Sequence, residues 1–341
     1  ALKPAALSED GTAPAVVEAV ASAAAAGFRH FDCAEVRPSS PPRLSSSADA
    51  SLERSQAYQT ERSVGAALAG AGLPRGELFV TSKVFRALPH VEDEVERQLC
   101  ELRLESFDLF LIHTPKAVGA AGLTQAEAWA RLEGLVDNGL TKCVAFFSLS
   151  RACYSVSLTL CHSQGLGVSN YTPDDLDALL PSARILPTVN QISLYPYIYH
   201  RNLATIEYCE ARGILIEAYE LASSIIRPSE QGGPLDPVLE RIVDELEGSS
   251  GKRWTPGQVL LAWASAKGWV AVTTSSKRER QEVRSSSSPS LSLLLLRRDV
   301  SRSQEYVAAG DVSLSKEQVD AIDQAGKEGA ERGFGTYSSW S

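Results

Sequence analysis

The feature that most restricts how this chain can fold is a repeated alternation of short apolar strands with amphipathic helices. Strand candidates are Arg29–Ala34, Leu78–Lys83, Phe107–His113, Gly167–Asn170, Thr188–Ser193, Ile214–Tyr219 and Trp269–Thr274. Each is short, apolar or β-branched, and followed by polar or turn residues. Between them lie helix candidates: Pro14–Ala26, Thr60–Ala71, Val91–Leu104, Thr124–Asn138, Pro173–Leu180, Asn202–Arg212 and Pro256–Lys267. Several carry start signals. Thr124 precedes Glu127, and Thr172-Pro173-Asp174-Asp175 places acid in a first turn. A strand–helix rhythm of this kind implies a parallel sheet covered by helices. No G-x-G-x-x-G follows the first strand, so the doubly wound dinucleotide fold lacks its usual signal. The expectation is α/β class, a (β/α)8 or TIM barrel formed by residues 1–341 as one domain. No candidate for an eighth strand stands at the front. The chain is expected to begin just after it, and the absence of methionine points to a processed or truncated start.

Charge and cysteine usage narrow the class of function. The net charge of −9 argues against nucleic-acid binding, which needs a basic face to neutralise phosphates. Cys33, Cys100, Cys143, Cys153, Cys161 and Cys209 contain no C-x-x-C pair. Their spacing fits neither a zinc site nor a disulfide framework, and free thiols in a reducing compartment are expected. The Ala-rich run from Ala13 to Gly27 lacks a basic leader and contains Glu18, so it reads as a helix and not an export signal. Elsewhere the apolar runs, such as Leu293 to Leu296, are far too short to cross a bilayer. A cytoplasmic monomer is expected, with no membrane, nucleic-acid or metal partner.

Three stretches break the rhythm: residues 36–56, 143–165 and 283–304. They are rich in Ser, Arg, Leu and Pro, as in RPSSPPRLSSS and RSSSSPSLSLLLLRRD, and carry neither strand nor helix period. Long irregular loops inside a compact barrel are uncommon.

With those stretches set aside, an ordered set of motifs remains. Gly27-Phe28-Arg29-His30-Phe31-Asp32-Cys33-Ala34-Glu35 is followed, across the first insertion, by Ala57-Tyr58-Gln59-Thr60-Glu61-Arg62-Ser63-Val64-Gly65. Phe79-Val80-Thr81-Ser82-Lys83-Val84 comes next, then Asp108-Leu109-Phe110-Leu111-Ile112-His113. Gly167-Val168-Ser169-Asn170-Tyr171 and Val189-Asn190-Gln191 lie further on, and Thr255 to Trp263 precedes the last strand. Each motif is weak alone; in this order they are specific, and the chain resembles the aldo-keto reductase family over nearly everything but the insertions. The resemblance implies reduction of aldehyde or ketone carbonyls by a nicotinamide cofactor, without metal.

The residue types fit that chemistry. Carbonyl reduction needs hydride at carbon and a proton at oxygen. A phenol with a pKa near 10 is a poor acid at neutral pH unless a nearby ammonium stabilises the phenolate. By resemblance Tyr58 is the proton donor, Lys83 the ammonium beside it and Asp32 the group that holds Lys83. His113 orients the carbonyl. All are expected at strand ends or in the loops after them, where barrels build their sites. His30 reads as structural, and His90, His162 and His200 show no partner pattern.

For the cofactor, the resemblance puts Ser169, Asn170 and Gln191 against the nicotinamide carboxamide and Tyr219 against the ring. It puts Leu221 and Ser223 at the diphosphate and Ser275, Lys277 and Arg280 at the adenosine end. Many family members have Lys where this chain has Thr274. The basic Lys277 and Arg280 suit a ribose 2′-phosphate, so NADPH is preferred over NADH. Ile112-His113-Thr114-Pro115 replaces the family's usual Ile-His-Trp-Pro, removing one aromatic wall of the pocket for the small carbonyl substrate. Phe334, Tyr337 and Trp340 in the tail are candidates to line it.

Two readings of the insertions stand open. They are genuine loops, or they are translated, unspliced introns. Introns start GT and end AG; valine codons begin GT and one glutamine codon is CAG. The first insertion runs from Val36 to Gln56 and the third from Val283 to Gln304. The second fits if its boundaries split the codons at Cys143 and Gly165. Deleting them rejoins family-like sequence. The insertions also leave two further outcomes open, a non-catalytic cofactor-binding barrel with a regulatory role and an inactive product.

Overall fold

The computed structural model describes residues 11–35, 59–144, 163–273 and 312–335. The insertions at 36–56 and 283–304 therefore lie outside the described residues. Only the edges of the second are described: Cys143–Val144 and Ser163–Gln164 are two-residue strands. The chain divides into two compact units, residues 1–143 with 274–307, and 144–273 with 308–341.

In the first unit three parallel strands lie in sequence order: β1 (His30–Asp32), β2 (Phe79–Val84) and β3 (Leu109–Ile112). His30 pairs with Phe79, Asp32 with Thr81 and Lys83 with Leu111. The β3 run is apolar and wholly buried, as a strand covered on both faces requires. Helix Pro14–Ala26 begins on a proline, whose missing N–H costs nothing there. It ends at Gly27, whose φ of 108° is open to glycine alone. The Ala-rich run is thus a helix, as expected. Its start is tied to helix Gln59–Gly70 by the Ala13 N–H, which donates to Ser63 Oγ at 2.9 Å. Helix Gln59–Gly70 then packs on helix Val91–Leu102 at Gly65. A Cβ there would sit 2.6 Å from the Glu101 carbonyl oxygen. Helix Gln125–Asp137 starts with the expected reciprocal cap between Thr124 and Glu127.

In the second unit four parallel strands again follow sequence order: β4 (Leu166–Ser169), β5 (Val189–Ser193), β6 (Leu215–Tyr219) and β7 (Val270–Val272). Ser169 pairs with Gln191, Gln191 with Glu217, and Tyr219 with Val272. Among the described residues neither unit shows the reversal of strand order that defines a doubly wound sheet. Caps from Thr172 and Thr255 open helices Pro173–Leu179 and Pro256–Ala266.

Two long helices had no counterpart among the expected elements, Leu235–Ser250 and Lys316–Glu331. The second packs through glycine. Cβ atoms at Gly326 and Gly329 would collide with the Pro196 carbonyl oxygen and the Tyr197 ring. Phe334 lies 5.1 Å from the Tyr197 ring, centroid to centroid. Tyr337 and Trp340 lie outside the described residues. No helix among the described residues is long and apolar enough to cross a membrane.

Candidate active site

The first unit brings Asp32 and Lys83 together at the carboxyl ends of adjacent strands. Lys83 is 3% exposed. Its Nζ donates to Asp32 Oδ1 at 2.5 Å and to the Cys33 carbonyl oxygen at 3.0 Å. A buried ammonium needs such partners, because desolvation penalises an unpaired charge heavily. Two acceptors on one segment fix where the ammonium sits.

His113 follows β3 directly, and its N–H donates to the Val84 carbonyl oxygen at 2.9 Å. The Phe85 ring meets its imidazole edge to face at 6.2 Å. Burial, and then the Lys83 ammonium, push the imidazole down to about 4, against a smaller opposing pull from Asp32. His113 is therefore neutral at pH 7 and has one ring N–H to donate. Next to it, Thr114 is buried, and its hydroxyl accepts from the Lys116 N–H to start helix Pro115–Ala120. The smaller residue caps a helix where a tryptophan could not.

Two further residues shape this end of the unit. Glu35 is buried and its Oε2 accepts from the backbone N–H groups of Phe85, Arg86 and Ala87 at 2.7, 3.0 and 3.3 Å. One carboxylate thereby fixes the loop that follows β2. At Cys33, burial, together with the Asp32 and Glu61 carboxylates, pushes the thiol up to about 12. It stays protonated and is no nucleophile at neutral pH. His30, read as structural, is hydrogen-bonded to Thr81 Oγ1 at 2.8 Å and packs edge-on against Phe79. His200 has a partner that its sequence context does not reveal, the Asp323 carbonyl oxygen at 3.0 Å. Tyr58 lies outside the described residues.

The second unit gathers Ser169, Asn170, Gln191 and Tyr219 on β4, β5 and β6. Ser169 Oγ donates to the Gln191 carbonyl oxygen at 2.8 Å and accepts from Asn170 Nδ2 at 2.9 Å. Tyr219 OH donates to Asn170 Oδ1 at 2.8 Å. Asn170 sits at φ 61°, a conformation asparagine tolerates better than most side chains. Gln191 Nε2 donates to Glu217 Oε2 at 2.8 Å, and both side chains are buried. The four expected residues thus form one continuous hydrogen-bonded chain.

Leu221 is buried, and Ser223 begins the short helix Ser223–Ile226. This turn is held by residues that sequence reasoning did not single out. Glu220, at φ 66°, accepts from Ser193 Oγ at 2.7 Å and from an Arg227 guanidinium nitrogen at 2.5 Å. Glu217 was also missed. Its signal was available: a carboxylate inside the strand run Leu215–Tyr219 is out of place unless it is paired. Ser275, Lys277 and Arg280 lie outside the described residues.

Known proteins share sequence and fold with this chain. The profile of the Aldo/keto reductase family matches residues 7–153. The NAD/NADP-dependent indole-3-acetaldehyde reductase of Schizosaccharomyces pombe is 31% identical over 267 residues, 78% of this chain and 76% of that protein. The D/L-glyceraldehyde reductase of Hypocrea jecorina is 30% identical, over 74% of this chain and 70% of its own. A crystal structure of an aldo/keto reductase from Brucella melitensis superposes with a TM-score of 0.63 at 21% identity, covering 92% of this chain and 89% of that one. The fold is accordingly the (β/α)8 barrel. This chain belongs to the aldo-keto reductase family of nicotinamide-dependent oxidoreductases.

Proposed function

We propose that this chain reduces aldehyde or ketone carbonyls of small molecules to alcohols, with NADPH as cofactor and Tyr58 as proton donor. The Asp32–Lys83 pair, closed at 2.5 Å with the lysine buried, is the observation that carries the reading. In the proposal Tyr58 gives its phenolic proton to the carbonyl oxygen. The Lys83 ammonium stabilises the phenolate left behind, and Asp32 keeps that ammonium in place. His113, neutral, donates its ring N–H to the carbonyl oxygen and sets its direction.

The donor set of the second unit fits a nicotinamide. A hydroxyl, two amides and a phenol ring match a primary carboxamide on a flat ring, which has two N–H donors and one acceptor oxygen to satisfy. Ser169, Asn170 and Gln191 would hold that carboxamide and Tyr219 would lie against the ring. Leu221 and Ser223 would border the diphosphate, and Ser275, Lys277 and Arg280 the adenosine end. A reduced nicotinamide held there supplies the hydride. The relative from S. pombe is named for both NAD and NADP. In this chain Lys277 and Arg280 favour a 2′-phosphate and hence NADPH.

In the same proposal the segments 36–56, 143–165 and 283–304 are translated introns.

The test is NADPH oxidation by purified protein against a panel of aldehydes and ketones. Turnover is expected, faster with NADPH than with NADH. Tyr58→Phe and Lys83→Met should each lower kcat by about 10²–10⁴ while NADPH still binds. Tight NADPH binding without turnover on any carbonyl would replace this reading with a non-catalytic cofactor-binding barrel.

A further inference from the structure

Asn190 and Gln191 are neighbours on β5, and successive strand residues point to opposite faces of a sheet. Gln191 turns towards Glu217 on β6. Asn190 is fully buried on the other face, against helix Leu203–Glu210, where its Nδ2 donates to Cys209 Sγ at 3.6 Å. No role assigned above uses it. Burying a polar side chain there costs stability unless its hydrogen bonds are made. Two are made with a single residue. Nδ2 donates to the Tyr171 carbonyl oxygen at 2.9 Å, and Oδ1 accepts from the Tyr171 N–H at 3.3 Å. The side-chain amide thus pairs with Tyr171 as the backbone of a neighbouring antiparallel strand would, exchanging both bonds.

The pairing falls where β4 ends. Up to Ser169 the two strands pair main chain to main chain, Val168 beside Asn190 and Ser169 beside Gln191. The Asn170 N–H still donates to the Gln191 carbonyl oxygen at 3.0 Å. Asn170 itself is left-handed, at φ 61°. Because peptide units are planar, only the φ and ψ of Asn170 separate its own N–H from that of Tyr171. β5 holds both groups, the first through the Gln191 main chain and the second through the Asn190 side chain. Together the two anchors set both torsions of a conformation that a non-glycine residue adopts at a cost. Those torsions direct the Cα–Cβ bond, and so place the Asn170 amide against Ser169 Oγ and Tyr219 OH.

We propose that Asn190 is a positioning residue for the cofactor site. It acts through Asn170: by holding the Tyr171 backbone, it keeps the Asn170 amide where a nicotinamide carboxamide meets it. This inference rests on the nicotinamide reading of the Ser169–Asn170–Gln191–Tyr219 cluster.

The test measures, by calorimetric titration, the binding of NADP⁺ and of 2′-phospho-ADP-ribose, which is NADP⁺ without its nicotinamide. Asn190→Leu removes both bonds to Tyr171 at nearly constant side-chain size. It should bind NADP⁺ about tenfold more weakly than wild type, the worth of one hydrogen bond lost at the carboxamide. Its affinity for 2′-phospho-ADP-ribose should stay within about twofold of wild type. Asn190→Ala should show the same selective loss, and it serves if the leucine variant fails to fold. Asn170→Ala should also bind NADP⁺ about tenfold more weakly. Since Asn190 acts through Asn170, adding Asn190→Leu to Asn170→Ala should change NADP⁺ binding by less than about twofold. General loosening would instead weaken both ligands alike, or cost a further tenfold or so in the Asn170→Ala background. Either result overturns the inference, as does wild-type NADP⁺ affinity in a folded Asn190 variant. Wild-type NADP⁺ affinity in Asn170→Ala overturns the nicotinamide reading itself.

Discussion

Two opposing charges and burial act together on the imidazole of His113. Burial and the Lys83 ammonium lower its pKa, Asp32 raises it, and the first two prevail by enough to bring it to about 4. An unfolded histidine titrates near 6.5. Between those values the unfolded chain binds a proton that the folded chain refuses. The group's contribution is therefore intact above pH 6.5 and is lost as the pH falls towards 4. Between pH 7 and 5 the loss should be on the order of 1–2 kcal/mol after allowing for partial exposure. Urea unfolding should show the wild type losing that much more stability over this interval than His113→Leu. Parallel pH profiles for the two proteins would mean that the imidazole titrates normally in the fold. At this scale the sequence was informative wherever a motif bound residue to residue: Asp32 with Lys83, and Ser169 with Asn170, Gln191 and Tyr219. It was silent on Glu35 and the Glu220–Arg227 pair. Their partners are backbone N–H groups or side chains brought close by strand pairing and turn geometry, and no spacing rule marks them.

Helix packing turns on a few glycines, and the same substitution should act in opposite directions at two of them. Replacing glycine by alanine inside a helix stabilises it by about 0.5–1 kcal/mol through backbone entropy. At Gly134, in helix Gln125–Asp137, the nearest atom to an added Cβ is Glu92 Oε1 at 3.6 Å, an ordinary contact. Gly134→Ala should gain that increment. At Gly65 the added Cβ would meet the Glu101 carbonyl oxygen and the Leu102 backbone at 2.6–2.7 Å. Backbone atoms of a packed helix cannot swing aside, and overpacking of this kind costs about 1–3 kcal/mol. The steric cost exceeds the entropic gain, so Gly65→Ala should be destabilised by about 1–2 kcal/mol. Denaturant midpoints for both variants check this; a stabilised Gly65→Ala would mean that the two helices are not in close contact. The same physics explains which helices were hard to read. Pro14–Ala26 announces itself with a proline start, a glycine stop and an alanine run. Lys316–Glu331 buries Ile322, Ala325, Gly326 and Gly329. Its apolar face is regular but narrow, with Val319 and Ile322 as its only large residues, and Gly326 and Gly329 lower helix propensity. Leu235–Ser250 does bury Leu235, Leu239 and Ile242 at helical spacing, but a Gly-Gly-Pro start and a proline in its first turn read as loop.

Three stretches of the sequence interrupt the strand–helix rhythm, and in the proposed enzyme each bears on catalysis by position. Segment 36–56 separates Asp32, whose carboxylate holds Lys83, from Tyr58, the proposed proton donor. Segment 143–165 immediately precedes the strand that carries Ser169. Segment 283–304 follows Arg280. Closing a longer connection costs little in itself, on the order of 1–2 kcal/mol for a several-fold increase in length. Catalysis is far less tolerant, since an ångström of misplacement costs about 10²-fold in rate. If the three segments are translated introns, the natural enzyme lacks them, and Tyr58 follows Asp32 within a single short turn. Transcript sequencing should then find messages without all three as the dominant form. A protein lacking 36–56 and 283–304, with one residue in place of 143–165, should reduce aldehydes with kcat/KM at least about tenfold above the full chain. Both proteins should still respond to Tyr58→Phe, because the chemistry is the same and only its geometry differs. Equal kcat/KM for the two, with all three segments present in the dominant message, would make the insertions genuine loops of an intact enzyme. In that outcome Tyr58 reaches the Asp32–Lys83 pair despite the long connection before it.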